Sequence, residues 1–147
     1  MLLLGTRNTT SQDVVASGIV DLGSTYRRYC RKNECGVSTF ALNGDAISLQ
    51  QSGVYKVTVS ATFTAPVAGD VTLQLYENGV AIPGALATET ITTSTTEFRS
   101  VSFDIYVLVD SANILGNWST LTKDLTVVNT GVASTITNIV VDVLKVS

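Results

Sequence analysis

Hydrophobic and polar residues alternate with a period of two along most of the chain that follows residue 53. Between Val54 and Thr64, apolar side chains occupy the odd positions from Tyr55 to Phe63, while lysine, serine and threonine occupy the even positions from Lys56 onward. Successive side chains of a β-strand point to opposite faces of its sheet. The pattern therefore predicts a strand with one buried face and one solvent-exposed face.

Turn-forming residues divide the rest of the chain into short segments. Asn78-Gly79 predicts a tight hairpin because both residues tolerate positive φ. Pro83-Gly84 predicts the end of the next strand, since proline cannot donate a ladder hydrogen bond. No segment keeps a helical period, and turn signals at this spacing are typical of an antiparallel sandwich or barrel. The predicted strands are 54–64, 71–75, 80–82, 87–91, 101–109, 113–121, 125–128 and 136–146, with further candidates at 14–22 and 39–43.

Two of these strands are apolar on parts of both faces. In 101–109 the odd positions are apolar, but so are Tyr106 and Leu108 among the even ones. In 136–146, one predicted face holds Ile139, Val141 and Val143, and the other holds Ile136, Val140, Leu144 and Val146. Such a strand is either central in a sandwich or part of a subunit contact. The candidate interface residues are Tyr76, Phe98, Tyr106, Leu108 and Leu144, with burial in the intrachain core as the alternative for each.

Composition argues against an enzyme. Histidine is absent, which removes Ser-His-Asp and Cys-His nucleophile activation and any histidine-based metal site. We therefore expect no catalytic residues, no metal and no cofactor. Charged residues make up 14% of the chain, against roughly 25% in an average soluble domain. The aspartates that could serve paired-carboxylate chemistry are spread singly, at Asp45, Asp70, Asp104, Asp110, Asp124 and Asp142.

The net charge of -3 does not favour nucleic-acid binding, which normally needs a basic face. One basic cluster is nevertheless present, formed by Arg27, Arg28, Arg31 and Lys32. A solvated turn or arm is one interpretation of this cluster. The other is a patch that docks on an acidic partner, such as a shell of other protein subunits.

No stretch approaches the roughly 20 apolar residues of a membrane span, so we expect no membrane association. Gly5, Thr6 and Arg7 directly follow the apolar Met1 to Leu4, so this start does not match a secretory signal. We expect synthesis and assembly in a cytosol. A reducing compartment favours free thiols at Cys30 and Cys35, although a disulfide between them stays open.

Three segments carry a family resemblance. A Gly-x-Tyr strand opening stands at Gly53, and a Leu-x-x-Asn-Gly-x-x-x-Pro-Gly hairpin begins at Leu75. The third segment is Thr126-Val-Val-Asn-Thr-Gly131, followed by the valine-rich last strand. This combination resembles the trimeric jelly rolls of the tumour-necrosis-factor and complement globular-head type, in the versions found in bacteriophage structural proteins and bacterial spore-surface glycoproteins. The resemblance covers residues 36–147.

The resemblance implies an all-β, antiparallel jelly-roll sandwich at 36–147 that assembles as a homotrimer around an apolar axis. Residues 1–35 would be a less regular N-terminal attachment arm or a first strand. The chain lacks the collagen stalk and the Phe-Gly-Phe-type ending of the secreted relatives. These departures fit a protein folded in a bacterial host cytoplasm and mounted on a virion.

Two functions follow as hypotheses. The first is a non-enzymatic virion structural protein, a capsid decoration or head fibre whose partners are its own copies and other virion proteins, above all the capsid. The second is a receptor- or glycan-binding tip of a tail fibre or baseplate, with Trp118 as the candidate glycan contact. A lone tryptophan more often fills a core or an interface.

Overall fold

The computed structural model of the chain describes residues 2–29, 40–114, 117–120 and 122–146. These residues form β-strands, turns and bends, and none of them lies in a helix that could span a membrane. The strands are β1 (Leu2–Asn8), β2 (Gln12–Val14), β3 (Ser24–Tyr29), β4 (Phe40–Asn43), β5 (Ala46–Leu49), β6 (Gly53–Thr64), β7 (Gly69–Glu77), β8 (Val80–Ile91), β9 (Arg99–Val109), β10 (Ser111–Ile114), β11 (Asn117–Thr120), β12 (Lys123–Asn129) and β13 (Ser134–Lys145).

Two antiparallel sheets pack face to face. The front sheet has the strand order β3-β1-β13-β6-β9, and β2 pairs with the start of β13. The back sheet has the order β4-β5-β12-β7-β8. A separate hairpin of β10 and β11 follows β9. This arrangement confirms the predicted all-β antiparallel sandwich.

The core lies between the sheets and consists of alternate residues from both. On β6 the buried residues are the odd ones from Tyr55 to Phe63, as the period-two pattern predicts. The hydroxyl of Tyr55 donates to the carbonyl oxygen of Gln51 at 2.6 Å, and burial raises the pKa of this phenol to about 12. The Asn78-Gly79 hairpin joins β7 to β8, with φ values of 50° and 78°.

Residues 2–29 are part of the sandwich. β1 lies between β3 and β13, and Leu2 and Leu4 are buried in the core together with Val20 and Leu22. Residues 2–29 thus contribute strands to the front sheet, and an attachment role for residues 1–35 stays a prediction. The apolar side chains of β1 complete the front half of the core. Cys30, Arg31, Lys32 and Cys35 lie outside the described residues.

Three predicted strand assignments are wrong. The candidate strand at 14–22 does not form, because β2 ends at Val14 and the residues that follow are a turn and irregular chain with one isolated bridge from Ile19 to Val128. The Pro83-Gly84 pair does not end a strand, because β8 runs from Val80 to Ile91 with a register shift opposite Leu75. β8 is the outer strand of the back sheet, where a missing proline N–H is tolerated, and Gly84 has a φ of 81° within the irregular stretch. The segment predicted as one strand at 113–121 instead folds back as the β10–β11 hairpin.

The faces of the last strand also differ from the prediction. The register of β13 against β6 shifts between Ile136 and Asn138, so one extra residue interrupts the alternation. Ile136 consequently points into the core with Ile139, not outward with Val140. Because the irregularity precedes Ile139, the rest of the strand keeps its predicted faces.

Candidate subunit interface

The outer face of the front sheet brings apolar side chains from four of the five strands of its path into one row, with Lys56 of β6 between them. Leu3 of β1 pairs with Tyr29 of β3 on one side and with Leu144 of β13 on the other. Leu144 pairs with Lys56 of β6, which in turn pairs with Tyr106 of β9. Directly paired residues of antiparallel strands share a face, so this row extends about 19 Å across the sheet.

A second row adds three more apolar residues at the same end of the sheet. Val54 pairs with Leu108, and the N–H of Val146 donates to the carbonyl oxygen of Val54 at 2.8 Å. The two rows together define the front apolar patch. Its members are Leu3, Tyr29, Val54, Tyr106, Leu108, Leu144 and Val146.

Four of the seven patch residues are exposed, whereas Leu3, Val54 and Leu144 are half-buried. Tyr106 is 65% exposed, Tyr29 55% and Leu108 50%. Contiguous apolar surface of this kind marks interaction sites on soluble proteins more often than it occurs by chance. The arrangement is therefore suited to contact with another protein surface.

A band of charged residues, formed by Lys56, Asp104 and Asp142, borders the patch. Nζ of Lys56 lies 3.3 Å from the carboxylate of Asp104, so the one cation within the apolar rows is already paired. Farther along the sheet the hydroxyl of Tyr26 donates to Oδ1 of Asp142 at 3.0 Å. This hydrogen bond raises the pKa of Tyr26, because ionisation of the phenol would break the bond and place a second negative charge beside the carboxylate.

Beyond the charged band, the outer face becomes uncharged and hydroxyl-rich. The hydroxyls of Ser60 and Ser102 lie 3.2 Å apart across β6 and β9, and those of Thr62 and Ser100 lie 3.0 Å apart. These pairs satisfy each other within the sheet. Part of the uncharged polar surface is therefore formed by mutually bonded hydroxyls.

The five predicted interface residues do not form one surface. Tyr106, Leu108 and Leu144 meet in the front apolar patch. Tyr76 is half-buried on the outer face of the back sheet, where it pairs with Thr126 and Ala81. Phe98, which is exposed, immediately precedes β9 and so lies at the opposite end of that strand from Leu108.

The two other predicted sites are described only in part. Arg27 pairs with Gly5 on the outer face of the front sheet, and Arg28 pairs with Leu4 at the edge of the sandwich; both side chains are exposed. Trp118 lies in β11, where its backbone pairs with Asn113, and its side chain is outside the described part of the structure.

The period-two pattern does not single out four of the patch residues, Leu3, Tyr29, Val54 and Val146, although it places Val146 on the correct face of the last strand. Leu3 stands in an unbroken run of leucines, and Tyr29 and Val54 stand at strand ends, where alternation is short. The run Leu2-Leu3-Leu4 was itself a usable signal, because a strand that is apolar on both faces has a second surface to cover.

Four of the six aspartates named in the sequence analysis, including Asp142, have a hydrogen-bond or ion-pair partner. Asp70 accepts a hydrogen bond from Thr90, Asp104 pairs with Lys56, and Asp124 accepts from Ser48. Among the residues that the structure describes, no three His, Cys, Asp or Glu side chains are grouped so that they could hold a metal ion.

Comparisons with known proteins identify the fold. The globular domain of zebrafish complement 1qA protein is similar with a TM-score of 0.62 and 9% identity, covering 100% of this chain and 98% of that chain. The PRD1 vertex protein P5 is similar with a TM-score of 0.53 and 18% identity, covering 99% and 97%. No protein-family model and no curated protein matches the sequence. The chain therefore has a jelly-roll fold.

Proposed function

We propose that this chain is a non-enzymatic structural module of a virus particle, in which three copies associate through their front apolar patches. The observation that supports this proposal best is the patch itself, an exposed apolar surface formed in register by every strand along the path of the front sheet. The resemblance to trimeric jelly rolls favours three copies over two. The expected partners are thus further copies of the same chain and the proteins of the virion.

The energetics of burial are compatible with this assembly. Burying a large apolar side chain contributes roughly 1.5–3 kcal/mol, whereas association costs about 4–15 kcal/mol in lost freedom and side-chain ordering. Several side chains must therefore be buried from each copy, and the patch supplies seven. Lys56 would enter the contact together with Asp104, which avoids the larger cost of burying an unpaired charge.

A place on the virion capsid, as a decoration or head fibre, is supported by two further features. The fold is similar to that of the PRD1 vertex protein P5. Arg27 and Arg28 add exposed positive charge at the edge strand β3, close in sequence to Arg31 and Lys32. We propose that this basic edge faces an acidic surface of the capsid.

The oligomeric state tests the assembly. Sedimentation velocity of the wild-type chain at micromolar concentration is expected to give a trimer, and Tyr106→Asp is expected to give a folded monomer. Leu86→Asp is the matched control, because Leu86 is 41% exposed on the outer face of the back sheet. A wild-type monomer, or equal dissociation by both substitutions, would contradict the proposal.

The position on the particle tests the virion role separately. An antibody raised against the purified protein is expected to label the heads of intact virions in negative-stain images. Labelling of tail fibres or the baseplate would instead favour the receptor-binding alternative. Absence of label from particles that contain the chain by mass spectrometry of their dissociated proteins would contradict an exposed capsid position.

A further inference from the structure

A polar cleft lies at the edge of the front sheet, away from the front apolar patch. It has a volume of about 600 Å³ and opens between the end of β1, the loop from β1 to β2, and the segment that leads into β3. Volumes of this order accommodate small ligands. Its lining includes Arg7, Asn8, Gln12, Asp21, Gly23 and Ser24.

Hydrogen bonds from side chains to the backbone fix the walls of this cleft. Gln12 donates to the carbonyl oxygen of Asp21 at 2.8 Å and accepts from its N–H at 2.9 Å. Asn8 donates to the same carbonyl at 3.1 Å and accepts from the N–H of Thr10 at 2.9 Å. A cleft whose walls are already ordered loses little conformational entropy when a ligand binds.

Close backbone contact holds the two sides of the cleft together. Gly23 has a φ of 78°, and a Cβ there would lie 2.3 Å from the carbonyl oxygen of Arg7. Only glycine fits this approach without a shift of the backbone. The spacing between Arg7 and the 21–24 segment is therefore set by the fold.

The chemistry of the lining is polar and balanced in charge. Arg7 contributes a guanidinium with five donors, and its Cζ lies 5.1 Å from the centre of the Tyr26 ring. Asp21 contributes a carboxylate; its Oδ1 accepts from the N–H of Gly23 at 2.8 Å, which leaves further acceptor sites. Thr9, Ser11 and Ser24 add hydroxyls.

We propose that this cleft binds a neutral saccharide unit, with Arg7 and Asp21 as its principal contacts. Vicinal hydroxyls of a sugar offer two acceptors to a guanidinium and two donors to a carboxylate, in the paired geometry that both groups favour. A simple anion would be attracted by Arg7 but repelled by Asp21, and an apolar ligand would leave the polar lining unsatisfied. The proposal uses other residues than the Trp118 hypothesis, and it does not depend on trimer assembly or on a place in a virion.

The test uses the full chain in its native oligomeric state. Isothermal titration is performed with cellotetraose, maltotetraose and the tetramer of N-acetylglucosamine, and with trigalacturonate and inorganic phosphate as anionic probes. At least one neutral oligosaccharide is expected to bind saturably. Arg7→Gln and Asp21→Asn are each expected to raise its Kd tenfold or more, while Thr96→Val, in the exposed 92–96 turn, leaves it unchanged.

Thermal unfolding of each variant separates loss of binding from loss of fold, and Asp21→Asn retains an oxygen that can accept from Gly23. Binding of the anionic probes alone would overturn the proposal in favour of an anion site. Failure of every probe at millimolar concentration would also overturn it, as would binding that neither substitution weakens.

Discussion

The hydroxyl of Tyr26 reaches Oδ1 of Asp142 across β1, directly above Gly5. A Cβ on Gly5 would lie 2.8 Å from Cε1 of Tyr26 and 2.9 Å from Oδ1 of Asp142. Glycine at this position therefore makes room for a bridge between the edge strand β3 and the central strand β13. Cζ of Arg27 lies 5.8 Å from the centre of the same ring, so a positive charge lies beside the bridge.

We expect Gly5→Ala to displace Tyr26 and to lower the free energy of unfolding by about 1 kcal/mol, the worth of one exposed hydrogen bond. The backbone should adapt little, because both obstructing groups are side chains. Urea denaturation of Gly5→Ala, Tyr26→Ala and the double variant measures the coupling. An equal cost of Gly5→Ala with and without the tyrosine ring would show that the bridge is not what the glycine serves.

The structural role of β1 leads to a second prediction. Leu4 is 1% exposed between the sheets, so Leu4→Ala should destabilise the fold by about 2–5 kcal/mol. Leu86→Ala is the matched control at an exposed position, where a change within about 0.5 kcal/mol is expected. Thermal denaturation compares the two variants. A Leu4→Ala cost as small as that of Leu86→Ala would mean that the N-terminal segment is a dispensable arm.

Strands with clear alternation could be predicted from the sequence alone. β6, β7 and β9 follow the period-two pattern, and the Asn78-Gly79 hairpin is evident from its residue types. β1 could not be recognised, because Leu2 and Leu4 face the core while Leu3 faces outward, and three leucines in succession show no period. The irregularities at Pro83-Gly84 and before Asn138 depend on cross-strand register, which local sequence does not specify.

The candidate interface was predictable only within single strands. Tyr106 and Leu108 stood out because they interrupt the polar face of β9. Their proximity to Leu3 and Tyr29 depends on pairings between residues that are far apart in the chain. Tyr76 satisfied the same sequence criterion yet lies on the other sheet. Sequence alone therefore identified candidate side chains but not the surface that they share.

A buried asparagine offers a third prediction. Asn129 is fully buried, and its Nδ2 donates to the carbonyl oxygens of Val14 and Val132 and to the hydroxyl of Ser134, at 3.2, 2.8 and 3.3 Å. In Asn129→Asp a carboxylate oxygen would face these carbonyls, so we expect a loss of at least about 3 kcal/mol. Asn138→Asp, at an exposed position, is the control. Chemical denaturation that gives similar stability for both variants would contradict this account.

The turn before β9 gives the last prediction, because Glu97 organises it through both carboxylate oxygens. Oε2 accepts from the N–H groups of Thr92 and Thr93 and from the Thr92 hydroxyl at 2.7, 2.8 and 2.7 Å, and Oε1 accepts from Nε of Arg99 at 2.8 Å. These bonds, led by the one from the Thr93 N–H, lower the pKa of Glu97 from 4.5 to about 2.

A carboxyl with a lower pKa in the folded state stabilises the fold above its unfolded pKa, and this contribution is lost as the pH falls through the folded pKa. The stability advantage of the wild type over Glu97→Gln should therefore be complete at neutral pH and shrink between about pH 4.5 and 2. Urea denaturation across this range measures it, with Glu89→Gln on β8 as a control that leaves the turn intact. A constant difference between wild type and Glu97→Gln from pH 7 to pH 2 would show that the ionised carboxylate does not hold the turn.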